Sequence, residues 1–186
     1  MVEVAYQLIA KKGLEGLRTR DVAAAAGIDT GTLHYHFPSK ELLIQAVVDR
    51  MADDFRLNRI GGAVAPTNAL EELRNEIFDA AMRVRKSPEQ LAVLMELMVR
   101  ASRDQAIAAT LARMQGSWAA HLAGLFTRGI EQKLFRPDIN PDTTALVVRA
   151  QLLGMSVIGM GAPERVEALA EELFTQMRTW LAPTNS

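Results

Sequence analysis

Apolar residues recur three and four positions apart along most of the chain, and short polar segments with glycine or proline interrupt them. This spacing places apolar side chains on one face of a helix, and no useful length alternates as a strand does. The sequence therefore predicts an all-α protein. Beyond residue 38 the predicted helices run from Ser39 to about Leu57 (ended by Gly61-Gly62), from Thr67 or Asn68 to Lys86, from Pro88 through Val99, from about Gln105 to Leu134, from about Asp142 to Gly159 and from Pro163 to Leu181.

The segment from Arg18 to Lys40, RTRDVAAAAGIDTGTLHYHFPSK, contains two short helices separated by a glycine turn. The hydroxyl of Thr19 can cap the first helix. Gly27 is placed to adopt the left-handed conformation that ends a helix at little cost. Asp29 or Thr30 can cap the second helix directly afterwards. The segment therefore predicts two helices that meet at a tight turn.

The second helix of this pair carries small and polar side chains where a core helix would be apolar. Leu33 and Phe37 lie four positions apart and form one buried stripe, and we expect His36 to be partly buried near Phe37. The positions outside that stripe are Thr30, Gly31, Thr32, His34 and Tyr35. A helix-turn-helix needs this division, because its second helix presents hydrogen-bonding groups to the major groove of DNA.

The order and spacing of three segments resemble the TetR family of bacterial transcriptional regulators. The segments are AYQLIAKKG, RTRDVAAAAGI and DTGTLHYHFPSKELL, and they cover about a quarter of the 186 residues. The resemblance implies a three-helix, helix-turn-helix DNA-binding domain over residues 1–45. It also implies a helical effector-binding and dimerisation domain over residues 46–186. An ordinary helical hairpin is the alternative for the N-terminal segment.

The resemblance also implies which side chains contact DNA. Positions that approach base edges in the family hold Arg20, Thr30 and Gly31, and positions that hold phosphates carry Thr19, Thr32, Tyr35 and Lys40. An arginine can donate two hydrogen bonds to guanine, whereas phosphate contacts set the register of the protein on the duplex. His34 stands where the family usually has tyrosine, and a histidine can still hydrogen-bond a phosphate.

Charge in the N-terminal segment is balanced, which is unusual for a DNA-binding domain. Among residues 1–50, Lys and Arg number six, and so do Asp and Glu. We expect Arg18, Arg20 and Lys40 to lie at the helix ends that face the duplex, so that the local charge there is positive. The chain also opens without the longer first helix and basic arm common in the family, so a trimmed N-terminus is expected.

The last two predicted helices carry more apolar surface than one chain is expected to cover. The helix from Asp142 is apolar on nearly every side, and the final helix has a wide apolar stripe. In the TetR family the equivalent pair packs against its symmetry mate, which implies a homodimer. The implied interface consists of Leu146, Leu153, Val157, Leu169, Leu173, Met177 and Trp180. A central helix of a monomeric bundle is the alternative.

The central helices combine adaptable apolar side chains with a few polar groups, as ligand pockets do. Trp118 and His121 lie three positions apart and could share a face. A pocket there would take a mostly hydrophobic ligand with one polar group. The candidate pocket residues are Met95, Met98, Met114, Trp118, His121, Leu122, Phe126, Gln151 and Met155. Ordinary core packing would explain the same residues.

Composition excludes several kinds of site. The chain has no cysteine, so it can form neither a disulfide nor a thiolate metal site. His34 and His36 lie two apart on a helix and point different ways, so a zinc site is not expected. No signal segment opens the chain. The apolar stretch Ala145–Gly161, interrupted by Arg149 and Gln151, is expected to be a buried helix too short to span a membrane. We therefore expect a cytoplasmic protein without a cofactor.

Together these features predict a homodimeric TetR-like repressor that binds a palindromic operator and is released by a small ligand. Two other classes remain open. A helical enzyme would use His121 or the pair His34 and His36, but no nucleophile motif, paired carboxylates or phosphate loop supports it. A dimeric ligand-binding protein with lost DNA function would explain the balanced N-terminal charge. Binding to any duplex that weakens with salt distinguishes the regulator from this alternative.

Overall fold

The computed structural model describes residues 1–60 and 66–183, with the side chains of 55–60 excepted. Within these residues the chain is helical throughout, without strands, as the sequence predicts. The helices are α1 (Val2–Lys12), α2 (Thr19–Ala25), α3 (Thr30–His36), α4 (Lys40–Ile60), α5 (Ala69–Lys86), α6 (Pro88–Ala101), α7 (Gln105–Glu131), α8 (Pro141–Gly161) and α9 (Val166–Leu181), with a 3₁₀ turn at Pro163–Arg165. The predicted stop at Gly61-Gly62 lies outside the described residues.

Local hydrogen bonds explain where α5 begins. The side chain of Asn68 accepts a hydrogen bond from the Glu71 backbone N–H at 2.9 Å. The Glu71 carboxylate in turn accepts from the backbone N–H and hydroxyl of Thr67, both at 2.8 Å. This reciprocal pair satisfies backbone donors that a helix start leaves free. Asn68 is therefore the cap, one of the two residues that the sequence indicated.

The chain forms two compact units. The first unit comprises residues 1–62 and 89–114, and the second comprises residues 63–88 and 115–186. Helix α6 and the first part of α7 thus belong with the N-terminal helices, and α7 continues into the second unit. The functional boundary proposed between residues 45 and 46 stays a prediction, because these units are defined by packing alone.

The core of the first unit joins the N-terminal helices to α6 and α7. Helix α1 packs against α4 and α2. Val93 and Leu97 of α6 are completely buried in the same apolar cluster as Ile9 and Val47. At the end of the same helix Val99 is 72% exposed.

In the second unit α5 packs against both α8 and α9. Leu73, Ile77 and Val84 lie on the buried face of α5. Helix α8 buries Val148 and Leu152 but leaves other apolar side chains in solvent. Helix α8 has 21 residues, and by length and composition alone it is long and apolar enough to span a membrane, a test that core helices of soluble proteins also pass. Only 39% of its most apolar 18 residues is buried, so α8 is partly buried rather than the buried helix that the sequence predicted.

Candidate nucleic-acid interface and effector region

Helices α2 and α3 are joined by the glycine turn that the sequence predicts. Gly27 adopts a φ of 68°, a left-handed conformation that other residues rarely take. The backbone N–H of Ile28 donates to the Ala23 carbonyl at 3.0 Å, which closes the end of α2. The predicted cap at Thr19 was wrong. Thr19 is already helical, Arg18 occupies the cap position, and its side chain makes no capping bond.

Asp29 caps the start of α3, as the sequence indicated. Its carboxylate accepts from the Thr32 backbone N–H at 2.8 Å and from the Thr32 hydroxyl at 2.6 Å. These two hydrogen bonds hold the pKa of Asp29 below its ordinary value. Both donors of Thr32 are therefore committed within the protein, so a phosphate could gain one only by displacing Asp29.

The predicted DNA-contact residues lie around one buried anchor. Leu33 is buried, and half-buried Phe37 packs against the core of the first unit. Tyr35 is 83% exposed. Its ring centre lies 5.4 Å from that of His36, and the two rings are nearly perpendicular. His36 is also exposed, so its predicted partial burial was wrong; α3 ends at His36, and no further helical turn covers it. The other exposed candidates are Arg18, Thr19, Arg20, Thr30, Gly31, Thr32 and His34.

Ion pairs engage some of the charged side chains of the N-terminal segment and leave others free. Lys12 pairs with Asp21 at 3.2 Å, and Arg50 pairs with Glu3. In the described part of the chain neither Arg18 nor Arg20 has an ionic partner. The surface of α2 therefore keeps two unpaired guanidinium groups, although the segment as a whole is neutral.

Lys40, the remaining cationic candidate, is half-buried at the start of α4. Its ammonium group donates a hydrogen bond to the Leu14 carbonyl at 3.0 Å. An ammonium group has three N–H donors, so two remain for another acceptor. The position agrees with a phosphate contact, and the bond to Leu14 restricts the side chain.

A buried carboxylate organises the interior of the second unit. Glu76 on α5 is only 8% exposed. One of its oxygens accepts a hydrogen bond from the Trp118 indole N–H at 3.1 Å, and the other lies 3.1 Å from Nε2 of His121. Burial raises the pKa of Glu76, but hydrogen bonds from His121 and Trp118 outweigh it and hold that pKa below the ordinary value.

Two further charged groups surround this cluster. Glu72 lies one turn before Glu76 on α5, and its carboxylate is 3.6 Å from Nε2 of His121. Arg128 pairs with Glu72 at 2.7 Å. The sequence analysis missed both carboxylates. A signal was present, because Glu76 interrupts the apolar stripe that Leu73 and Ile77 establish, and a charge inside such a stripe requires a partner.

Arg149 approaches the same aromatic ring from α8. Its guanidinium carbon lies 5.7 Å from the centre of the Trp118 ring, and one terminal nitrogen donates to Gln115 at 3.2 Å. Its Nε is buried without a hydrogen-bond partner. Burial lowers the pKa of Arg149. Trp118 thus lies close to a carboxylate and a guanidinium.

The other candidate pocket residues are dispersed. Met98 and Met114 pack against the core of the first unit, and half-buried Met95 also belongs to that unit. In the second unit Phe126 is buried with its ring centre 5.9 Å from that of Phe135. Leu122 and Met155 are buried, whereas Gln151 is exposed. From this set, Trp118 and His121 both contact the Glu76 carboxylate.

The predicted interface residues lie on α8 and α9 with varied exposure. Leu146, Val157 and Trp180 are among the exposed large apolar side chains, and so are Val147 and Ile158. Leu153, Leu169 and Leu173 are half-buried, and Met177 is buried within its own chain. A groove of about 470 Å³ opens between these helices, with Gln151, Met177 and Trp180 in its wall.

The N-terminal helices and most of the chain are similar to known regulators of transcription. The family model described as bacterial regulatory proteins, tetR family, matches residues 1–47. The repressor KstR2 of Mycobacterium tuberculosis is 27% identical over 153 residues, which cover 80% of this chain and 74% of KstR2. The chain belongs to the TetR family. It is a DNA-binding regulator of transcription, and its curated relatives are regulators rather than enzymes.

Two more comparisons extend over nearly the whole of this chain. The regulator UidR of Escherichia coli is 25% identical over 178 residues, which cover 92% of this chain and 83% of UidR. A TetR regulator from Chloroflexus aurantiacus has the same fold, with a TM-score of 0.85 at 20% identity, over 97% of this chain and 93% of that structure. In residues 1–60 and 66–183, no group of three or more histidine, aspartate or glutamate side chains is arranged to hold a metal ion.

Proposed function

We propose that this TetR-family regulator is a homodimeric repressor that binds a palindromic operator and is released by a small, mostly hydrophobic ligand. Regulators of this family bind operator DNA and act as dimers. The observation that carries the proposal is the polar surface of α2 and α3, where Arg18 and Arg20 are exposed without ionic partners around buried Leu33. Such a regulator acts in the cytoplasm, where bacterial DNA lies.

On this surface the side chains have two roles. Arg20, Thr30 and Gly31 approach base edges, as the resemblance to the TetR family implies, and all three are exposed at the starts of α2 and α3. The phosphate contacts come from Arg18, Thr19, His34, Tyr35 and Lys40. Thr32 was expected to join them, but its donors already bind Asp29. We therefore assign Thr32 to the capping of α3, and it contacts a phosphate only if one of its two donors leaves the Asp29 carboxylate.

The dimer forms through α8 and α9. Leu146, Val157 and Trp180 leave apolar surface in water, and a second copy of the same surface covers it by two-fold symmetry. Two recognition helices related by such an axis match the two half-sites of a palindrome. This pairing is the reason for expecting a symmetric operator.

The effector binds in the second unit near Trp118 and His121. These side chains combine an aromatic face with polar groups at the Glu76 carboxylate, which suits a ligand that is mostly apolar and has one hydrogen-bonding group. We propose repression rather than activation because KstR2, to which this chain is similar, is a repressor. For a ligand to release DNA, it must bind the released conformation more tightly, and DNA must weaken ligand binding by the same factor.

Selection from a random-duplex pool at low salt tests the operator proposal. We expect enrichment of a site with two-fold symmetry, and we expect its affinity to fall as salt rises because phosphate contacts release counterions. A selected site without symmetry would contradict the dimer-on-palindrome arrangement. Salt-independent binding, or none by a folded dimer, would favour a ligand-binding protein that has lost DNA function.

A further inference from the structure

One residue of the first unit is held from both sides of its backbone. The N–H of Leu14 donates to a carboxylate oxygen of Glu96 at 3.1 Å. The carbonyl of the same residue accepts from the ammonium group of Lys40 at 3.0 Å. The Leu14 side chain is itself buried in the core of the unit. Glu96 on α6 and Lys40 on α4 are thereby joined through a single anchored residue.

The backbone at Glu96 is held by its buried neighbours, and its side chain is exposed. Its neighbours Val93 and Leu97 on α6 are completely buried in the cluster that contains Leu14. Gly13, just before Leu14, has a φ of 69°, and a Cβ there would lie 3.3 Å from both carboxylate oxygens of Glu96. A glycine at this position gives the turn its conformation and lets the carboxylate approach the backbone closely. The packing of α6 therefore supports the hydrogen bond to Leu14.

The bond to Leu14 matters for a lysine that contacts phosphate. A free lysine side chain loses considerable rotamer freedom when it binds, which reduces its contribution to affinity. One hydrogen bond to a fixed carbonyl removes part of that freedom in advance and leaves two N–H donors for the phosphate. The carbonyl can do this only while Leu14 stays in place.

We propose that Glu96 is a positioning residue for DNA binding: it fixes the Leu14 backbone, whose carbonyl orients Lys40 toward a phosphate. The inference rests on the proposed phosphate contact of Lys40. Glu96 itself touches no DNA. It acts on affinity for every duplex alike, because the contact that it supports carries no sequence information.

A double-mutant cycle on the full chain tests this role. We expect Glu96→Ala to weaken all duplexes by about three- to tenfold, the range of one hydrogen bond. The slope of log affinity against log salt should fall by about one phosphate contact. In a Lys40→Ala background the same substitution should have no further effect. Glu96→Gln should restore affinity, because its amide oxygen can accept from the Leu14 N–H.

Glu89→Ala is the matched control, since it removes the same charge from the same helix. Hydrogen exchange of the Leu14 amide, measured without DNA, should accelerate in Glu96→Ala and not in the control. An unchanged affinity of Glu96→Ala would overturn the inference, and so would an equal loss in the Lys40→Ala background, which would indicate a general effect on the fold. Sequence-selective DNA binding by the wild type that is insensitive to Lys40→Ala would remove its basis while leaving the regulator function intact.

Discussion

The outer face of α2 and α3 and the outer face of α8 and α9 are both exposed, but their chemistry is opposite. The first presents guanidinium, hydroxyl and imidazole groups around buried Leu33. The second presents large apolar side chains such as Leu146, 57% exposed, and Ile158, 56% exposed. Polar groups are satisfied by water and can exchange it for phosphates, whereas apolar groups gain by leaving water. Exposure alone therefore does not define a partner, and the exposed chemistry does.

The interiors differ in the opposite sense. The first unit is held by a continuous apolar cluster that includes Ile9, Val47 and Leu97. In the second unit a carboxylate, Glu76, is buried among apolar residues and is satisfied by Trp118 and His121. A polar group buried with few partners is sensitive to the loss of any one of them. Loss of either partner of Glu76 should therefore perturb the second unit from within.

The largest expected effect is on the apolar face. Val157→Glu places a carboxylate where a second copy should cover an exposed valine, and the two-fold axis repeats the charge. We expect the free energy of dimerisation to become less favourable by roughly 4 kcal/mol. Folding should be retained because the site is exposed in the single chain. Sedimentation over a concentration series measures it.

Val99→Glu is the control, because it makes the same change at an exposed valine of the first unit. This variant should remain as dimeric as the wild type. If Val157→Glu also remains dimeric at low concentration, the face of α8 is not the interface and the comparison between the two surfaces fails.

The next largest effect concerns the buried carboxylate. Glu76→Leu leaves the Trp118 indole N–H and His121 without their shared acceptor, and should lower the free energy of unfolding by about 3 kcal/mol. Denaturant unfolding measures this change. An exposed acid on the same helix, Glu71, is an unsuitable control because its carboxylate bonds to Thr67 at the start of α5, so Asn75→Leu serves instead.

The same carboxylate predicts a dependence on acid. Because the pKa of Glu76 lies below its ordinary value in the folded protein, its contribution to stability is present above the ordinary glutamate range and is lost as pH falls through the lowered pKa. Glu76→Gln should therefore lose less stability than the wild type as pH is lowered below about 4.3. Parallel acid titrations of the two proteins would contradict this assignment.

On the polar surface, Arg20→Ala should cost about 1–3 kcal/mol of discrimination at one base pair, because an arginine can make two hydrogen bonds to guanine. Binding to the selected operator and to single-base variants of it measures the loss. Arg18→Ala is the matched comparison and should weaken all these duplexes to the same extent. Equal losses on every sequence from Arg20→Ala would reject its base-reading role.

The smallest expected effect is that of Tyr35→Phe. This change removes one hydroxyl from a side chain that is 83% exposed and leaves the ring beside His36 in place. We expect affinity to fall by about 1 kcal/mol on all duplexes, with folding unchanged, since the hydroxyl is assigned to a phosphate. An unaltered affinity would remove Tyr35 from the DNA-contact surface.

The helices and the caps at Asp29 and Asn68 could be predicted from the sequence because they depend on neighbouring residues. Asp29 binds the N–H three positions later, and Asn68 does the same. Gly27 ends α2 through a backbone conformation that glycine permits. Such contacts are set by helix geometry, and no knowledge of the packing is needed to find them. The helix-turn-helix and the family resemblance rest on this local information.

Which face of a helix is buried, and what a buried polar group meets, was decided only by the tertiary structure. On α6 several apolar faces compete, and packing buries Val93 and Leu97 while it leaves Val99 exposed. Glu76 meets Trp118 from 42 positions away, and Leu14 meets Glu96 from 82 positions away. Helical periodicity gives the direction of a side chain about its own axis, whereas a contact also requires the relative placement of two helices. That placement depends on the packing of all side chains between them, which no local pattern contains.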